Sequence, residues 1–253
     1  MASRQDHDLQ LIYGRNPILD ALDEGKSFER IYMRDNLTGE LEKLVRQRCK
    51  ELEIPLKKVP LVKLDRLAHN RNHQGVVGIG SIITYQEIDM MVPHLYEQGI
   101  DPILMLLDNV QDVRNIGAIA RSAEAFGAHG LVISGKQAGM ITHDSLKASA
   151  GALARIHVCR EKNTIKTIEA LRAHGIQTVG TTLTQSSPIH ETALTAPVCL
   201  LLGSEGDGLH RSVEQACDQL ISIPQSGHTD SLNVSVAAGV VLYEVQRQIN
   251  QNS

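Results

Sequence analysis

The sequence predicts an α/β fold built on a parallel sheet, because apolar runs of strand length alternate with segments of helical periodicity. From residue 102 onward the strand candidates are ILMLLD, GLVIS, RIHVC, IQTVGTT, VCLLLG and LISIP. Amphipathic stretches separate them, and the runs are bounded by glycine and other turn formers. Strands that alternate with helices in this way are typical of a parallel sheet with helices on both faces.

A smaller α/β unit is predicted ahead of this region. Its elements are a helix within LIYGRNPILDALDEG and then RIYMR (strand), TGELEKLVRQRCKELEI (helix), PLKKVP (strand), VKLDRLA (helix) and QGVVGIGSIIT (strand). A unit of about 80 residues is large enough to fold alone. We therefore predict a first domain over residues 1–85 and a second over 102–253. The acidic segment 86–101 ends in Gly-Ile-Asp-Pro and is interpreted as a linker.

Composition argues for a cytoplasmic protein without a membrane span. The 253 residues include no run of 18 apolar side chains, and the polar start MASRQDHDLQ lacks the apolar core of a secretory signal. The four cysteines are scattered without a CxxC pair, which favours reduced thiols in the core over disulfides.

Net charge is a weak guide to the partner. The chain carries a formal charge of −4, but residues 1–85 hold 14 Lys and Arg against 12 Asp and Glu. Positive charge therefore concentrates in the first domain. On charge alone, a solvated helix face is a better interpretation of this pattern than a nucleic-acid surface.

The stretch 198–243 organises the second domain. It contains a strand, the Gly-rich turn GSEGDG, a short helix, a second strand, a polar loop and a long closing helix that Ser231 is predicted to cap. Polar loops at the carboxyl ends of parallel strands form the crevice in which open α/β sheets bind ligands. GSEGDG matches neither dinucleotide nor P-loop spacing, and its two acids would repel a phosphate, so alone it indicates only a tight turn.

Other chemical signals are sparse. Asn115 and Arg121 lie six positions apart in one predicted helix, where a surface arginine is an equally good interpretation. His69 and His73 are four apart but in a loop-like segment, so no metal site is expected. A GxSxG elbow and an activated cysteine are both absent from the sequence, which leaves covalent catalysis without support.

Three segments resemble, in order, the signature motifs of the SpoU-type (TrmH-like) RNA ribose 2′-O-methyltransferases of the SPOUT superfamily. They are LDNVQDVRNIGAIARSAEAFGAHGLVIS, LLLGSEGDGL and LISIPQSGHTDSLNVSVAAGVVLYE. YGRNPILDAL and HQGVVG in the first domain resemble the RlmB-like subgroup, whose N-terminal domain is a ribosomal-protein-like RNA-binding module. The resemblance covers almost the whole chain.

The resemblance implies a C-terminal deep trefoil knot, a rare exception to unknotted topology. It also implies S-adenosylmethionine as the methyl donor, held in the knot largely by main-chain groups. Carried onto this sequence, the cofactor-binding positions are Thr181, Gly203, Ile223 and Leu232. We expect Gly203 to let the backbone approach the ligand. Members of the family dimerise through this region, so a homodimer is expected.

The family's functional positions fall on Asn115, Arg121, Glu205, Ser231 and Asn233. Arg121 has been proposed in the family as the base, but a guanidinium rarely loses its proton, and a grip on an RNA phosphate is the more natural role. The general base is left unassigned. Asp230 departs from the expected pattern, and an added acid there would weaken phosphate binding unless Arg121 or His228 pairs with it.

The resulting hypothesis is methyl transfer to the ribose 2′-hydroxyl of a guanosine in the peptidyl-transferase region of 23S rRNA. A tRNA ribose 2′-O-methyltransferase is the nearest alternative. A non-catalytic RNA-binding or ribosome-assembly protein would share the fold without the chemistry. A nicotinamide-dependent oxidoreductase would need GxGxxG after its first strand, where this chain has DNVQDVRNIG.

Overall fold

The computed structural model describes residues 10–52, 54–183, 186–227 and 231–252. The chain divides into two compact units. The first comprises the described residues up to 84 together with 140–143, and the second comprises 85–139 and the described residues from 144 onward.

The first unit is a small α/β domain, and its described residues form a four-stranded mixed sheet in the order β1-β4-β2-β3. Only β2 and β3 are parallel neighbours, since β4 runs antiparallel to both β1 and β2. Its elements in chain order are β1 Gln10–Tyr13, α1 Arg15–Asp23, β2 Phe28–Arg34, α2 Glu40–Glu51, β3 Leu56–Val59, α3 Leu61–Leu67 and β4 Val76–Gly80.

Alternating side chains of this sheet fill two cores. Ile31 and Met33 of β2 pack with the buried faces of α1 and α2, whereas Tyr32 between them packs with Leu64 of α3. This is the two-residue period that a strand covered on both faces requires. The predicted elements of the first unit are present. The apolar lead into α1, which was not interpreted as a strand, pairs with β4 as β1.

The second unit confirms the predicted parallel α/β architecture. Its described residues form a seven-stranded sheet in the order β7-β6-β5-β10-β8-β11-β9, with every neighbouring pair parallel. The elements are α4 Ile88–Glu97, β5 Ile103–Asp108, α5 Val113–Ala125, β6 Gly130–Ser134, α6 His143–Ala148, β7 His157–Glu161, α7 Thr164–Ala173, β8 Gln177–Thr181, β9 Ser187–Pro188, β10 Val198–Leu202, α8 Arg211–Ala216, β11 Gln219–Ser222 and α9 Val234–Asn252.

Segment 86–101 is not the linker that its acidic composition suggested. It forms α4, whose residues Ile88, Met91, Val92 and Leu95 are nearly inaccessible to solvent and belong to the core of the second unit. These positions follow the i, i+3, i+4, i+7 spacing of an amphipathic helix. The acids lie on the remaining faces, so the negative charge marks a solvated surface of a packed helix.

The order of the central strands brings the three motif regions to one edge of the sheet. β10 lies between β5 and β8, and β11 lies beside β8, so the carboxyl ends of these four strands are adjacent. β5 and β10 are fully buried, as expected of strands covered on both faces. The closing helix α9 packs on α5 and on β10. Loops that leave the carboxyl ends of these strands are therefore positioned to form a site.

Within the described part of the chain, none of the helices combines the length and the apolar character that a membrane crossing requires.

Candidate active site

The loop after β5 is fixed by buried and strained groups. The carboxylate of Asp108 is 3% exposed and accepts hydrogen bonds from Thr164 Oγ1 at 2.5 Å and from Asn109 Nδ2 at 2.9 Å. Asn109 itself has φ 54° and accepts the backbone N–H of Gln137 on its Oδ1 at 3.1 Å. A left-handed non-glycine residue persists only where its surroundings hold it.

Asp112 then starts α5. Its side chain accepts the backbone N–H of Arg114 at 2.7 Å, which is the hydrogen bond of an N-cap. Asn115 follows as the third residue of the helix and is half-buried. The loop and the cap together therefore set the position of the Asn115 amide. Neither Asn109 nor Asp112 was singled out from the sequence, although an Asp directly before a helical segment is a recognisable capping signal.

The turn after β10 closes on itself. Gly208 donates its backbone N–H to the Ser204 carbonyl at 3.0 Å, and Gly206 and Gly208 have φ of 91° and 67°. A Cβ on Gly203 would lie 2.0 Å from the carbonyl carbon of Gly208. Gly203 stays a predicted cofactor-binding position, and the close approach that the structure shows is between Gly203 and the chain's own backbone at Gly208. The turn therefore requires glycine at position 203, and it presents Glu205 to solvent.

The start of α9 differs from the prediction that Ser231 caps it. α9 begins at Val234, and Asn233 Oδ1 accepts both the backbone N–H of Ser235 at 2.9 Å and its hydroxyl at 2.6 Å. Asn233 is therefore the capping residue. Ser231 lies two residues earlier and is exposed.

Three of the predicted site residues meet at one carboxylate oxygen. Glu205 Oε1 accepts a hydrogen bond from Asn115 Nδ2 at 2.7 Å and another from Asn233 Nδ2 at 2.6 Å. The two amides also approach each other, with Asn233 Nδ2 3.3 Å from Asn115 Oδ1. Residues separated by as many as 118 positions in the chain thus form one cluster, which we call the amide–carboxylate cluster (Asn115, Glu205, Asn233).

The cluster has the character of a pre-organised site. A carboxylate that accepts two amide donors forms charge-assisted hydrogen bonds, which are stronger than neutral ones. Both amides are held by their position on helix starts, so little reorganisation is needed to keep this geometry. The second oxygen of Glu205 has further lone pairs with which to accept a donor.

Arg121 is not part of this cluster. Six residues beyond Asn115 on α5, it is displaced by about 9 Å along the axis and by about 120° around it. Its side chain is exposed and makes no hydrogen bond or ion pair with another described residue. The pairing of Asp230 with Arg121 or His228 cannot be placed in this geometry, because both Asp230 and His228 lie outside the described residues.

The four predicted cofactor positions lie at neighbouring strand ends or beside them. Thr181 ends β8, Gly203 follows β10, and half-buried Ile223 follows β11. The Thr181 hydroxyl donates to the Leu201 carbonyl at 2.7 Å. The side chain of Thr181 is therefore engaged within the sheet, and its main-chain groups lie at the strand end. Leu232, 37% exposed, precedes Asn233 and so lies next to the amide–carboxylate cluster.

A cleft of about 660 Å³ lies elsewhere in this unit and contains none of the predicted site residues. It is bounded by residues Ser186, Ser187, Thr192, Glu214, Cys217, Asp218, Gln219 and Leu220. The candidate site is therefore defined by its sequence motifs and hydrogen bonds, and it does not coincide with this cleft.

Thiol and metal chemistry have no geometric basis in the described residues. All four cysteines are free, and burial raises the pKa of the Cys159 and Cys217 thiols to about 12. A thiol with such a pKa stays protonated at neutral pH and is a poor nucleophile. In the part of the chain that the structure describes, no three His, Cys, Asp or Glu side chains are grouped to hold a metal ion.

Family models match both units. The SpoU rRNA Methylase family matches residues 102–243, and a model for RNA 2′-O ribose methyltransferase substrate binding matches residues 11–86. An uncharacterized tRNA/rRNA methyltransferase of Synechocystis is 36% identical over 95% of this chain, which spans 63% of that relative's length. A Bacillus subtilis protein, YacO, named as a TrmH family tRNA/rRNA methyltransferase, is 35% identical over 97% of this chain and 98% of its own length.

Solved structures agree with this assignment. The SpoU methyltransferase AviRb of Streptomyces viridochromogenes, in complex with the cofactor AdoMet, superposes with a TM-score of 0.60 at 27% identity, covering 98% of this chain and 93% of AviRb. An AdoMet-bound rRNA methyltransferase of Sinorhizobium meliloti gives 0.59 at 27% identity, covering 97% and 90%. The TrmH/SpoU tRNA modifying enzyme of A. aeolicus gives 0.54 at 28% identity, covering 65% and 85%. This chain therefore belongs to the SpoU (TrmH-type) family of RNA ribose 2′-O-methyltransferases.

Proposed function

We propose that this protein transfers a methyl group from S-adenosylmethionine to the ribose 2′-hydroxyl of a guanosine in the peptidyl-transferase region of 23S rRNA. The observation that carries the proposal is the amide–carboxylate cluster. Its three residues come from three separate motif regions, and each was expected from the family resemblance to be functional. A protein that only bound RNA would have no need for such a cluster at the carboxyl edge of the sheet.

The residues at the strand ends fit S-adenosylmethionine. Ile223 and Leu232 offer partly buried apolar surface to an adenosine, and Thr181 and Gly203 offer main-chain groups at adjacent strands. The acids of the turn after β10, Glu205 and Asp207, would repel a phosphate but attract a cationic sulfonium. A phosphate-bearing cofactor such as NAD fits this charge less well.

When bound, S-adenosylmethionine supplies an electrophilic methyl group on a positively charged sulfur. The chain's own task is then to orient the ribose hydroxyl and accept a hydrogen bond from it. Glu205 Oε1 is occupied by the two amides, so Oε2 is the atom that accepts from the 2′-hydroxyl. Asn115 and Asn233 keep this carboxylate in place. The general base is unassigned, and exposed Ser231 adds a hydroxyl beside the cluster.

Arg121 acts on the RNA backbone in this account. A guanidinium keeps its proton at neutral pH, and its planar donors match a phosphate in a bidentate geometry. Its exposed position, about two turns of α5 beyond Asn115, separates it from the cluster of its own chain. This separation fits a site that a second subunit completes.

A homodimer is supported by the outer face of α9. Val236, Val240 and Tyr243 lie at i, i+4 and i+7 and are 52%, 37% and 57% exposed. Tyr243 also meets the ring of Phe126 edge-on, with centroids 6.1 Å apart. An exposed apolar stripe of this kind marks an interaction surface. Analytical ultracentrifugation should give the mass of two chains, and a monomer at micromolar concentration would contradict the proposal.

A trefoil knot is supported by the path of the chain after β10. That strand lies between β5 and β8, the following strand β11 lies beyond β8, and α9 then returns to pack on α5 and β10. We propose that this return passes through the preceding loop. The free thiols agree with a cytoplasmic location, which is also part of the proposal.

The length of this chain that aligns with solved structures favours rRNA over tRNA as the substrate. The rRNA methyltransferase of Sinorhizobium meliloti aligns with 97% of this chain, whereas the tRNA modifying enzyme of A. aeolicus aligns with 65%. The additional aligned length corresponds to a substrate-binding unit over residues 11–86. A protein that retains this unit is expected to recognise a larger RNA.

The test is transfer of tritiated methyl groups from S-adenosylmethionine to unmodified 23S rRNA and, in parallel, to unmodified tRNA, followed by mapping of the labelled nucleotide. A 2′-O-methylguanosine in the peptidyl-transferase region is the expected result. Labelling of tRNA alone would contradict the rRNA assignment but retain the chemistry. Absence of label from both RNAs, despite binding of S-adenosylmethionine, would overturn the proposed activity.

A further inference from the structure

One end of the sheet in the first unit gathers cationic side chains. β1 and β2 run in the same direction, so their carboxyl ends lie beside the start of the antiparallel strand β4. Arg15 is the first residue of α1 and is separated from β1 only by Gly14, and Arg71 and Gln74 lie in the loop that leads into β4. All three side chains are exposed.

Direct contacts join these residues in two pairs, Tyr13 with Arg71 and Arg15 with Gln74. Arg71 Nη1 donates to the Tyr13 hydroxyl at 2.5 Å, and its guanidinium carbon lies 5.5 Å from the centre of the tyrosine ring. Gln74 Oε1 accepts the backbone N–H of Arg15 at 3.0 Å, which satisfies the first turn of α1. We call this surface the arginine patch (Tyr13, Arg15, Arg71, Gln74).

The loop that carries the patch is rigidly built. Among the described residues five non-glycine residues have positive φ, and three of them are His69, Asn70 and Gln74. His73 is 6% exposed, accepts the backbone N–H of Gly75 on Nδ1 at 3.0 Å and therefore donates from Nε2 to Asp65 at 3.0 Å. Strained backbone of this kind persists where a loop is held in one conformation, often for function.

The cations of the patch are not paired with carboxylates, whereas three basic side chains on or near α2 are. Arg46 pairs with Glu42, as does Lys58, and Arg48 pairs with Asp23. In contrast, neither Arg15 nor Arg71 makes an ion pair with a carboxylate among the described residues. The Gln74 main-chain carbonyl accepts from Arg15 Nε at 3.5 Å, and the Tyr13 hydroxyl accepts from Arg71 Nη1. A guanidinium has five N–H donors, so most of those on Arg15 and Arg71 are available to a ligand.

We propose that the arginine patch is the surface by which the first unit grips RNA, with Arg15 and Arg71 on successive phosphates of an unpaired segment. Planar guanidinium groups suit phosphate, and Gln74 and Tyr13 can hydrogen-bond a base edge or a ribose hydroxyl. Tyr13 and Gln74 are positioning residues, since each holds an arginine or the helix that bears it. The proposal rests on the proposed function, because that function requires the protein to bind RNA.

The test compares two double variants of the full-length protein that remove the same charge. Arg15→Ala with Arg71→Ala disrupts the patch, and Arg46→Ala with Arg48→Ala removes arginines that carboxylates already neutralise. Binding of unmodified 23S rRNA transcript is measured by filter retention over a range of salt, together with thermal melting, KM and kcat.

The patch variant should bind RNA at least about 10-fold more weakly near physiological salt, and the slope of log Kd against log salt should fall by about 1.4, since each phosphate contact in single-stranded nucleic acid contributes about 0.7. Its kcat at saturating RNA should stay within about 2-fold of wild type, because the chemistry lies in the second unit. The α2 variant should change the Kd by less than about 3-fold. Tyr13→Phe, which removes only the acceptor for Arg71, should give an intermediate loss with unchanged melting.

Equal weakening by both double variants would overturn the patch and leave the methyltransferase proposal intact. Binding of RNA through the patch without methyl transfer would support the patch and contradict the proposed activity. A wild-type protein that does not retain the transcript would overturn both.

Discussion

The two units both present polar side chains at the carboxyl ends of strands, but they use charge in opposite ways. In the second unit the amide–carboxylate cluster satisfies its own hydrogen bonds, with Glu205 accepting from Asn115 and Asn233. In the first unit the guanidinium groups of Arg15 and Arg71 contact neutral partners, the Gln74 main-chain carbonyl and the Tyr13 hydroxyl, and pair with no carboxylate among the described residues. Self-satisfied groups give a fixed geometry, whereas uncompensated charge gives affinity for an anion. The two proposals together predict that geometry for the chemistry lies in the second unit and affinity for RNA in the first.

The largest expected effect follows from Gly203→Ala in the second unit. The added methyl would overlap the carbonyl carbon of Gly208, 2.0 Å away, so the turn that carries Glu205 must move. We expect methyl transfer to fall more than about 1,000-fold, because misplacing a catalytic group by about 1 Å already costs about 100-fold. RNA retention by the first unit should persist.

Gly239→Ala is the matched control for this substitution. Gly239 lies within α9, and its nearest neighbour to an added Cβ is Ser122 Oγ at an ordinary 3.8 Å. Alanine in a helix interior is favoured over glycine by about 1 kcal/mol, so this variant should melt at or above the wild-type temperature. Equal losses of methyl transfer in both glycine variants, with the Gly239→Ala protein still a dimer by analytical ultracentrifugation, would contradict the steric explanation.

Substitutions of Asn233 can separate its role as the N-cap of α9 from its role as an amide donor to Glu205. We expect a smaller effect on methyl transfer than for Gly203→Ala. Asn233→Ala should lower the free energy of unfolding by about 1 kcal/mol, since the N-cap is lost, and should reduce kcat about 100-fold, the size expected when one donor of a pre-organised site is removed. Asn233→Ser retains a capping oxygen but not the donor to Glu205. It should recover the stability without the activity, as measured by chemical denaturation and single-turnover transfer. Recovery of both would show that Asn233 acts only as a cap.

The smallest expected effect is that of Glu42→Gln, which tests whether pairing with a carboxylate keeps Arg46 and Lys58 from binding RNA. Hydrogen bonds from Arg46 and then Lys58 hold the pKa of Glu42 below its usual range, so the carboxylate is charged at neutral pH and above. Glu42→Gln releases both cations from their shared acid. Non-specific RNA binding at low salt should tighten by about 2- to 3-fold and the difference should vanish near 0.2 M salt, where screening is strong. A weaker affinity in this variant would contradict the neutralisation argument.

The sequence predicted the parallel sheet well for a physical reason. Strands such as ILMLLD and VCLLL are buried on both faces, so their apolar character is continuous and cannot belong to a surface element. Segment 86–101 was predicted as a linker from its four acids and its Gly-Ile-Asp-Pro end, although its apolar residues have helical spacing. The acidic composition of this segment reflects the residues on the solvated face of its helix. The residues on the buried face are recognised from the spacing of the apolar side chains.

The residues of the candidate site came from the resemblance, but their arrangement did not. The family resemblance identified Asn115, Glu205 and Asn233, but their shared carboxylate oxygen depends on the strand order, which a single sequence does not contain. The cap of α9 was assigned to Ser231 in place of Asn233, because both residue types cap helices and the exact start of a helix is not encoded by type alone. Gly203 stays the predicted point at which the backbone approaches the cofactor, and its close packing against Gly208 depends on the path of the turn, which a single sequence does not contain.

The central claim is that Glu205, where the three motif regions meet, orients the reacting hydroxyl. The most direct measurement is single-turnover methyl transfer by Glu205→Gln at saturating S-adenosylmethionine and 23S rRNA. Asp207→Asn is the control, because Asp207 is an exposed acid of the same turn. We expect Glu205→Gln to slow transfer by about 100-fold with an unchanged Kd for RNA, since a neutral acceptor orients the hydroxyl less strongly, and Asp207→Asn to stay within about 3-fold of wild type. Wild-type rates in Glu205→Gln, or equal losses in both variants, would contradict the claim.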